Sequence, residues 1–152
     1  KRHGHHGNAI VSRHPIEGWT NTDISTNRFE SRGVLHAIVV PPGSTKRLHA
    51  LCVHLDLLER GRSRQLERIC EFVEREIPVD EPVLLAGDFN DWGLRATGLL
   101  TARLGLRETF ATLHGRHAAT FPAKYPVLSL DRIYERGLDP IDARVMAEPP
   151  WS

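Results

Sequence analysis

Val83-Leu84-Leu85-Ala86 is an unbroken apolar run that stops at Gly87-Asp88-Phe89-Asn90. It is the right length for a strand covered on both faces, and such a strand has to lie inside a layered fold. The cover stands just upstream. Between Arg62 and Ile77, Leu66, Ile69, Cys70, Val73 and Ile77 recur at three- and four-residue steps among Arg, Glu and Gln, the pattern of an amphipathic helix over a sheet. Pro78 ends it.

The rest of the chain extends the same architecture. Gly33 to Val40 and Arg47 to Leu55 are strand-like, and Pro41-Pro42-Gly43-Ser44 joins them as an antiparallel hairpin. In the second strand the two-residue repeat sends Leu51, Val53 and Leu55 one way. Ala50, Cys52, His54 and Asp56 go the other. Ala9 to Ser12 reads as a short strand ended by Arg13-His14-Pro15. Leu94 to Leu104 reads as a second helix with Gly105 as its C-cap. Val127 to Tyr134 and Ile141 to Met146 read as further strands. Strands joined by both a hairpin and a helical crossover predict an α/β (α+β) fold with helices outside the sheets.

With 152 residues, 40% hydrophobic and 26% charged, the chain can bury a core of its own. No repeat or linker divides it, so residues 1–152 are read as one domain. Lys1 is not a start methionine and Trp151-Ser152 falls in a loop, from which we expect a piece of a longer chain, incomplete at both ends. Cys52 and Cys70 lack zinc-type spacing and read as reduced, apolar fillers. No stretch approaches the roughly 18 apolar residues of a membrane span, so no transmembrane segment and a cytoplasmic location are expected. The balance of 20 basic to 19 acidic residues excludes the global basic footprint of a generic nucleic-acid binder. Arg60-Gly61-Arg62-Ser63-Arg64, with Glu59 and Glu67 beside it, reads as a solvated helix start.

Gly87-Asp88-Phe89-Asn90 places an acid and an amide, two residues apart, at the carboxyl end of a strand, where α/β sheets host ligands. Asp88 can bind a hard cation or orient a water. Asn90 can donate to a phosphoryl oxygen without adding negative charge. On the tetrapeptide alone, a Gly-Asp turn with Asn90 as a helix cap reads equally well. His54 closes another strand and Asp131 lies in Ser129-Leu130-Asp131-Arg132-Ile133-Tyr134. Taken singly, His54 reads as a satisfied polar residue and Asp131 as the partner of a neighbouring arginine.

The ordered set Asn8-Ala9-Ile10-Val11-Ser12-Arg13, His54-Leu55, Gly87-Asp88-Phe89-Asn90 and Leu130-Asp131-Arg132-Ile133 resembles the motifs of the endonuclease/exonuclease/phosphatase (DNase I-like) superfamily. The resemblance covers most of the chain. Gly87 to Trp92, Thr120-Phe121-Pro122 and Leu130 to Tyr134 are most similar to small bacterial members of unassigned substrate. The resemblance implies part of a four-layer αββα sandwich, two mostly antiparallel or mixed sheets flanked by helices. It also implies hydrolysis of a phosphate ester of the phosphodiesterase or nuclease type with Mg2+, or Mn2+ as a substitute. Its substrate would be a nucleic acid, a phospholipid head group or a small phosphoester, with no obligate protein partner. The alternatives are a phosphomonoesterase or lipid phosphodiesterase on the same fold, toward which the modest net charge leans, and a non-catalytic phosphate-binding domain.

Carried over residue by residue, the resemblance makes His54 the phosphate-contacting or acid/base histidine and Asp88 the carboxylate that positions the attacking water. Asn90 becomes the amide that binds the phosphoryl group, and Asp131 the carboxylate that orients the family's last histidine. Asp88 is the one metal ligand it offers. Arg32 is similar to a phosphate-contacting arginine, while Trp92 could stack on a substrate group and Arg95 meet a phosphate, or Trp92 pack over the loop. The family's early Asn and Glu motifs, the glutamate being its main magnesium ligand, would lie before Lys1, and its Ser-Asp-His motif beyond Ser152. We therefore expect this chain alone to bind magnesium poorly and to be inactive. His3, His5 and His6 lack the further ligand that a tetrahedral zinc site needs.

Overall fold

A computed structural model describes residues 7–28 and 30–146. Its strands are β1 (Ile16–Asp23), β2 (Gly33–Val39), β3 (Leu48–His54), β4 (Val83–Asp88), β5 (Arg107–Glu108) and β6 (Asp131–Arg136), and its helices α1 (Glu59–Glu76), α2 (Arg95–Leu104) and α3 (Thr109–His114). The strands form one six-stranded sheet in the order β1-β2-β3-β4-β6-β5. β3 and β4 are parallel and joined through α1, while β2 pairs β3 and β4 pairs β6 antiparallel. The mixed α+β class expected from the sequence is the one observed.

Registered neighbours in a ladder share a face of the sheet. The aligned set Val34, Val53, Leu51, Leu85, Val83 and Tyr134 therefore faces one way, and it meets Leu66, Ile69, Cys70, Phe72 and Val73 of α1 and Leu100 of α2 in one core. The periodic positions of the expected helix are the ones buried there. On the other face Leu84 and Ala86 are only half-buried, while Trp19 and Ile133 are 71% and 44% exposed. Among the described residues β4 is thus packed against α1 and α2 on one face and less covered on the other.

Several expectations need correction. Ala9 to Ser12 forms no strand. β1 occupies the edge of β2 that does not face β3, and the segment is anchored instead by Asn8, whose Nδ2 donates to Gly33 O and Cys52 O, each at 2.9 Å. β1 itself was hidden by its polar, glycine-containing sequence. The expected strand from Val127 starts only at Asp131, and Leu128 joins an isolated bridge to Phe121. Ile141 to Met146 is irregular. α3 was not expected; the Glu108 carboxylate caps it by accepting from Phe110 N and Ala111 N. α2 ends as expected at Gly105, whose φ of 66° is left-handed. Arg62 is not solvated but 6% exposed. The His3, His5 and His6 cluster and the Trp151-Ser152 end lie outside the described residues. Among the described residues no helix is long and apolar enough to cross a membrane.

Candidate active site

The sheet aligns three of the expected residues in one row. His54 is the register partner of Asp88, and Asp88 that of Asp131. The carboxyl ends of parallel β3 and β4 and the amino end of antiparallel β6 therefore meet at one edge, with the three side chains on one face. His54 Nε2 lies 3.6 Å from Asp88 Oδ2, with the side chains 50% and 33% exposed. This is an ion-pair distance rather than a hydrogen bond, so neither His54 Nε2 nor Asp88 Oδ2 is taken up by the other.

The fourth expected residue is held from the loop. Asn90 has a φ of 48°, a left-handed conformation that asparagine tolerates better than most residues. Its N–H donates to Asp88 Oδ1 at 2.9 Å and its Nδ2 to Leu55 O at 3.0 Å. One amide hydrogen is thereby spent on fixing the side chain, which is 3% exposed. Leu55 N donates to Asp88 O at 2.9 Å and Phe89 N to Leu130 O at 2.8 Å, so the three strand ends are stitched to one another directly.

Gly87 makes this approach sterically feasible. Its φ is 146°, and a Cβ there would fall 1.9 Å from Val53 O. Only glycine lets β4 run this close to β3.

The remaining expected residues are less central. Arg95 forms an ion pair with Glu59 at the start of α1, and Arg32 Nη2 reaches Glu30 Oε2 at 3.0 Å with 15% of its side chain exposed. Both pair with acids outside the row. Trp92 is 58% exposed, rather than packed over the loop. Asp131 is not the partner of Arg132: alternation turns Arg132 to the helix face, where it meets Asp91 at 3.1 Å. Beside Asp131 a cleft of about 520 Å³ is lined in part by Thr109, Phe110, Ile133 and Met146.

Asp91 and Arg132 are the residues that the sequence reading missed. A signal was present. An arginine on the core-facing phase of a strand needs buried acceptors, and Asp91 follows the tetrapeptide directly.

A profile of the Endonuclease/Exonuclease/phosphatase family matches residues 2–150. The uncharacterized protein YbhP of Escherichia coli K12 is 52% identical over 131 residues, which are 86% of this chain and 51% of YbhP. The chain spans about half the length of the curated relatives it matches. Among solved structures it is similar to D. rerio TDP2 complexed with single strand DNA product, at 20% identity and a TM-score of 0.62 over 89% of this chain and 55% of that one. It is also similar to sphingomyelinase C from Streptomyces griseocarneus, at 23% identity and a TM-score of 0.56 over 83% of this chain and 51% of that one. These two likenesses concern the fold.

Proposed function

The chain belongs to the Endonuclease/Exonuclease/phosphatase family, and from that membership we propose that the protein hydrolyses a phosphate ester by in-line attack of water on phosphorus. The observation that carries the reading is the His54, Asp88, Asp131 row across three adjacent strands. In this reading Asp88 accepts a hydrogen bond from the attacking water and sets its line of approach. His54, half-exposed beside it, donates to a phosphoryl oxygen as charge develops there. The Asn90 amide hydrogen not given to Leu55 is the second donor. Asp131 orients a histidine brought to it, as carboxylates do for acid/base imidazoles.

Among the described residues no three of His, Cys, Asp and Glu converge as a metal cage. Asp88 supplies one hard oxygen ligand, whereas magnesium takes near-octahedral coordination. The described residues do not by themselves make a magnesium site, and no step above runs through one.

The direct test is release of p-nitrophenol from bis(p-nitrophenyl) phosphate, a diester, by the full-length protein. Hydrolysis lost in Asp88→Asn supports the proposal. A wild-type rate equal to that of buffer refutes it. A nucleic-acid substrate adds a steep fall of affinity with salt, which a small phosphoester does not show.

A further inference from the structure

We infer that Arg62, Asp91 and Arg132 form a buried clamp that positions His54, Asn90 and Asp131 relative to one another; this rests on the reaction centre proposed above. The three clamp side chains are 8%, 2% and 1% exposed. Arg132 Nη1 donates to Asp91 Oδ2 at 3.1 Å and to the Tyr134 hydroxyl at 3.2 Å. Its Nη2 donates to the Asp91 carbonyl, and its Nε and Nη2 reach Ser129 O at 3.2 and 3.0 Å. Arg62 Nε stands 3.9 Å from Asp91 Oδ1, and its Nη1 donates to Asp56 O at 3.1 Å and Leu57 O at 2.9 Å. Asp91 also accepts from Ala96 N at 2.8 Å and, at its carbonyl, from Leu94 N at 3.4 Å, which ties the start of α2 to the same point.

Each arm of the clamp grips backbone beside one site residue. Asp56 and Leu57 follow His54 in the loop after β3; Asp91 adjoins Asn90; Ser129 and Arg132 flank Asp131. The carboxylate is the hub: Arg132 hydrogen-bonds it and Arg62 stands at ion-pair distance, while both planar guanidinium groups fix direction through the backbone carbonyls they hold. Buried charged networks of this kind are weak sources of stability, since apolar residues of similar volume often fold as well. What the hub and its two arginines add to the backbone bonds that stitch the three strand ends is side-chain bracing of their separation from the helix face. An in-line reaction is sensitive to that separation, because a misplacement near 1 Å costs about 10²-fold in rate.

The test uses the full-length protein and bis(p-nitrophenyl) phosphate, with Arg62→Met and the paired Asp91→Leu/Arg132→Met as variants. The paired exchange removes the hub with its hydrogen-bonded arginine. It leaves the buried Arg62 without its carboxylate and Ala96 N without its acceptor, so Arg62→Met is read beside it. Both variants are expected to unfold in one cooperative transition, with kcat lowered by about 10- to 100-fold and KM changed less than about twofold. A smaller folded fraction also lowers apparent kcat at constant KM, so kcat is taken per folded molecule from the unfolding curve. A drop that persists after that normalisation is what lost positioning predicts. A folded paired variant whose kcat stays within about twofold of wild type overturns the clamp. Should the paired variant not fold, Arg62→Met decides by the same criterion. Amide hydrogen exchange at residues 54–57, 88–91 and 129–132 gives a reading that needs no activity: protection unchanged in Arg62→Met overturns the clamp. If wild type and Asp88→Asn are equally inert, the reaction centre fails, and exchange alone still tests the clamp.

Discussion

His54 and Asp88 face each other across the parallel pair β3 and β4, with Nε2 and Oδ2 3.6 Å apart at the end of the sheet where β6 contributes Asp131. No hydrogen bond closes this gap, and in the proposed reaction Asp88 meets the water and His54 a phosphoryl oxygen. Asp88→Asn keeps the oxygen that accepts from Asn90 N but loses the charge. It is expected to lower kcat by about 10²- to 10⁴-fold with stability changed by less than about 1 kcal/mol. Steady-state kinetics beside urea unfolding check both halves, and His54→Ala is expected to behave alike.

Gly87 and Gly98 are expected to respond in opposite directions to alanine. At Gly87 the added carbon meets Val53 O and a φ of 146°, a destabilisation of about 3 kcal/mol. Gly98 lies inside α2 with nothing within 4 Å of the added carbon, where alanine is expected to stabilise by about 0.5–1 kcal/mol. Chemical denaturation of the two variants measures the contrast.

A pH effect is expected at the other end of the sheet. His36 Nε2 and His49 Nδ1 are 2.9 Å apart, and His49 Nε2 also meets Glu81. Because a carboxylate only accepts, His49 Nε2 carries a proton toward Glu81. Burial and the neighbouring His49 push His36 below its ordinary value of 6.5, against a smaller opposing pull from Glu76 of α1. Phe72 lies edge-on against its ring. The unfolded chain then binds more protons than the folded one below pH 6.5, so this contribution is full above 6.5 and is lost as pH falls toward the depressed value. His36→Gln, which does not titrate, is expected to flatten that part of the stability profile. Thermal midpoints of both proteins at intervals between pH 5 and 8 would show a parallel fall if His36 were not responsible.

Both thiols are expected to be slow toward Ellman's reagent in the native state. Burial pushes Cys70 up to about 11 and raises Cys52 as well, which suppresses the thiolate that reacts. Denaturant is expected to release both, and rapid labelling of either in native buffer at pH 8 would contradict this.

Much of the architecture was legible because helix and strand periods differ. The 62–77 pattern gave α1, and the phases of Leu51, Val53 and His54 gave the two faces of β3. β1 was not legible, since an edge strand with Gly18, Asn21 and Thr22 carries little apolar alternation. α3 was missed because its anchor is a single capping carboxylate rather than a periodic face. Within the site, His54, Asp88 and Asp131 could be ordered along the chain, but their shared row depends on ladder register, which no local pattern states. The Arg62, Asp91 and Arg132 group was obscured for a related reason: its members lie far apart in sequence, and the phase of Arg132 alone does not name its partner.

The position of β4 between β3 and β6 bears on the order of events during synthesis. A ribosome has to deliver residues 131–136 before the second edge of this apolar strand can be paired. Until then the nascent chain holds an open β4 edge ending at Asp88, a hazard for pairing with other chains. Truncated translation products that stop before Asp131 should consequently depend on chaperones far more than products that run past Arg136.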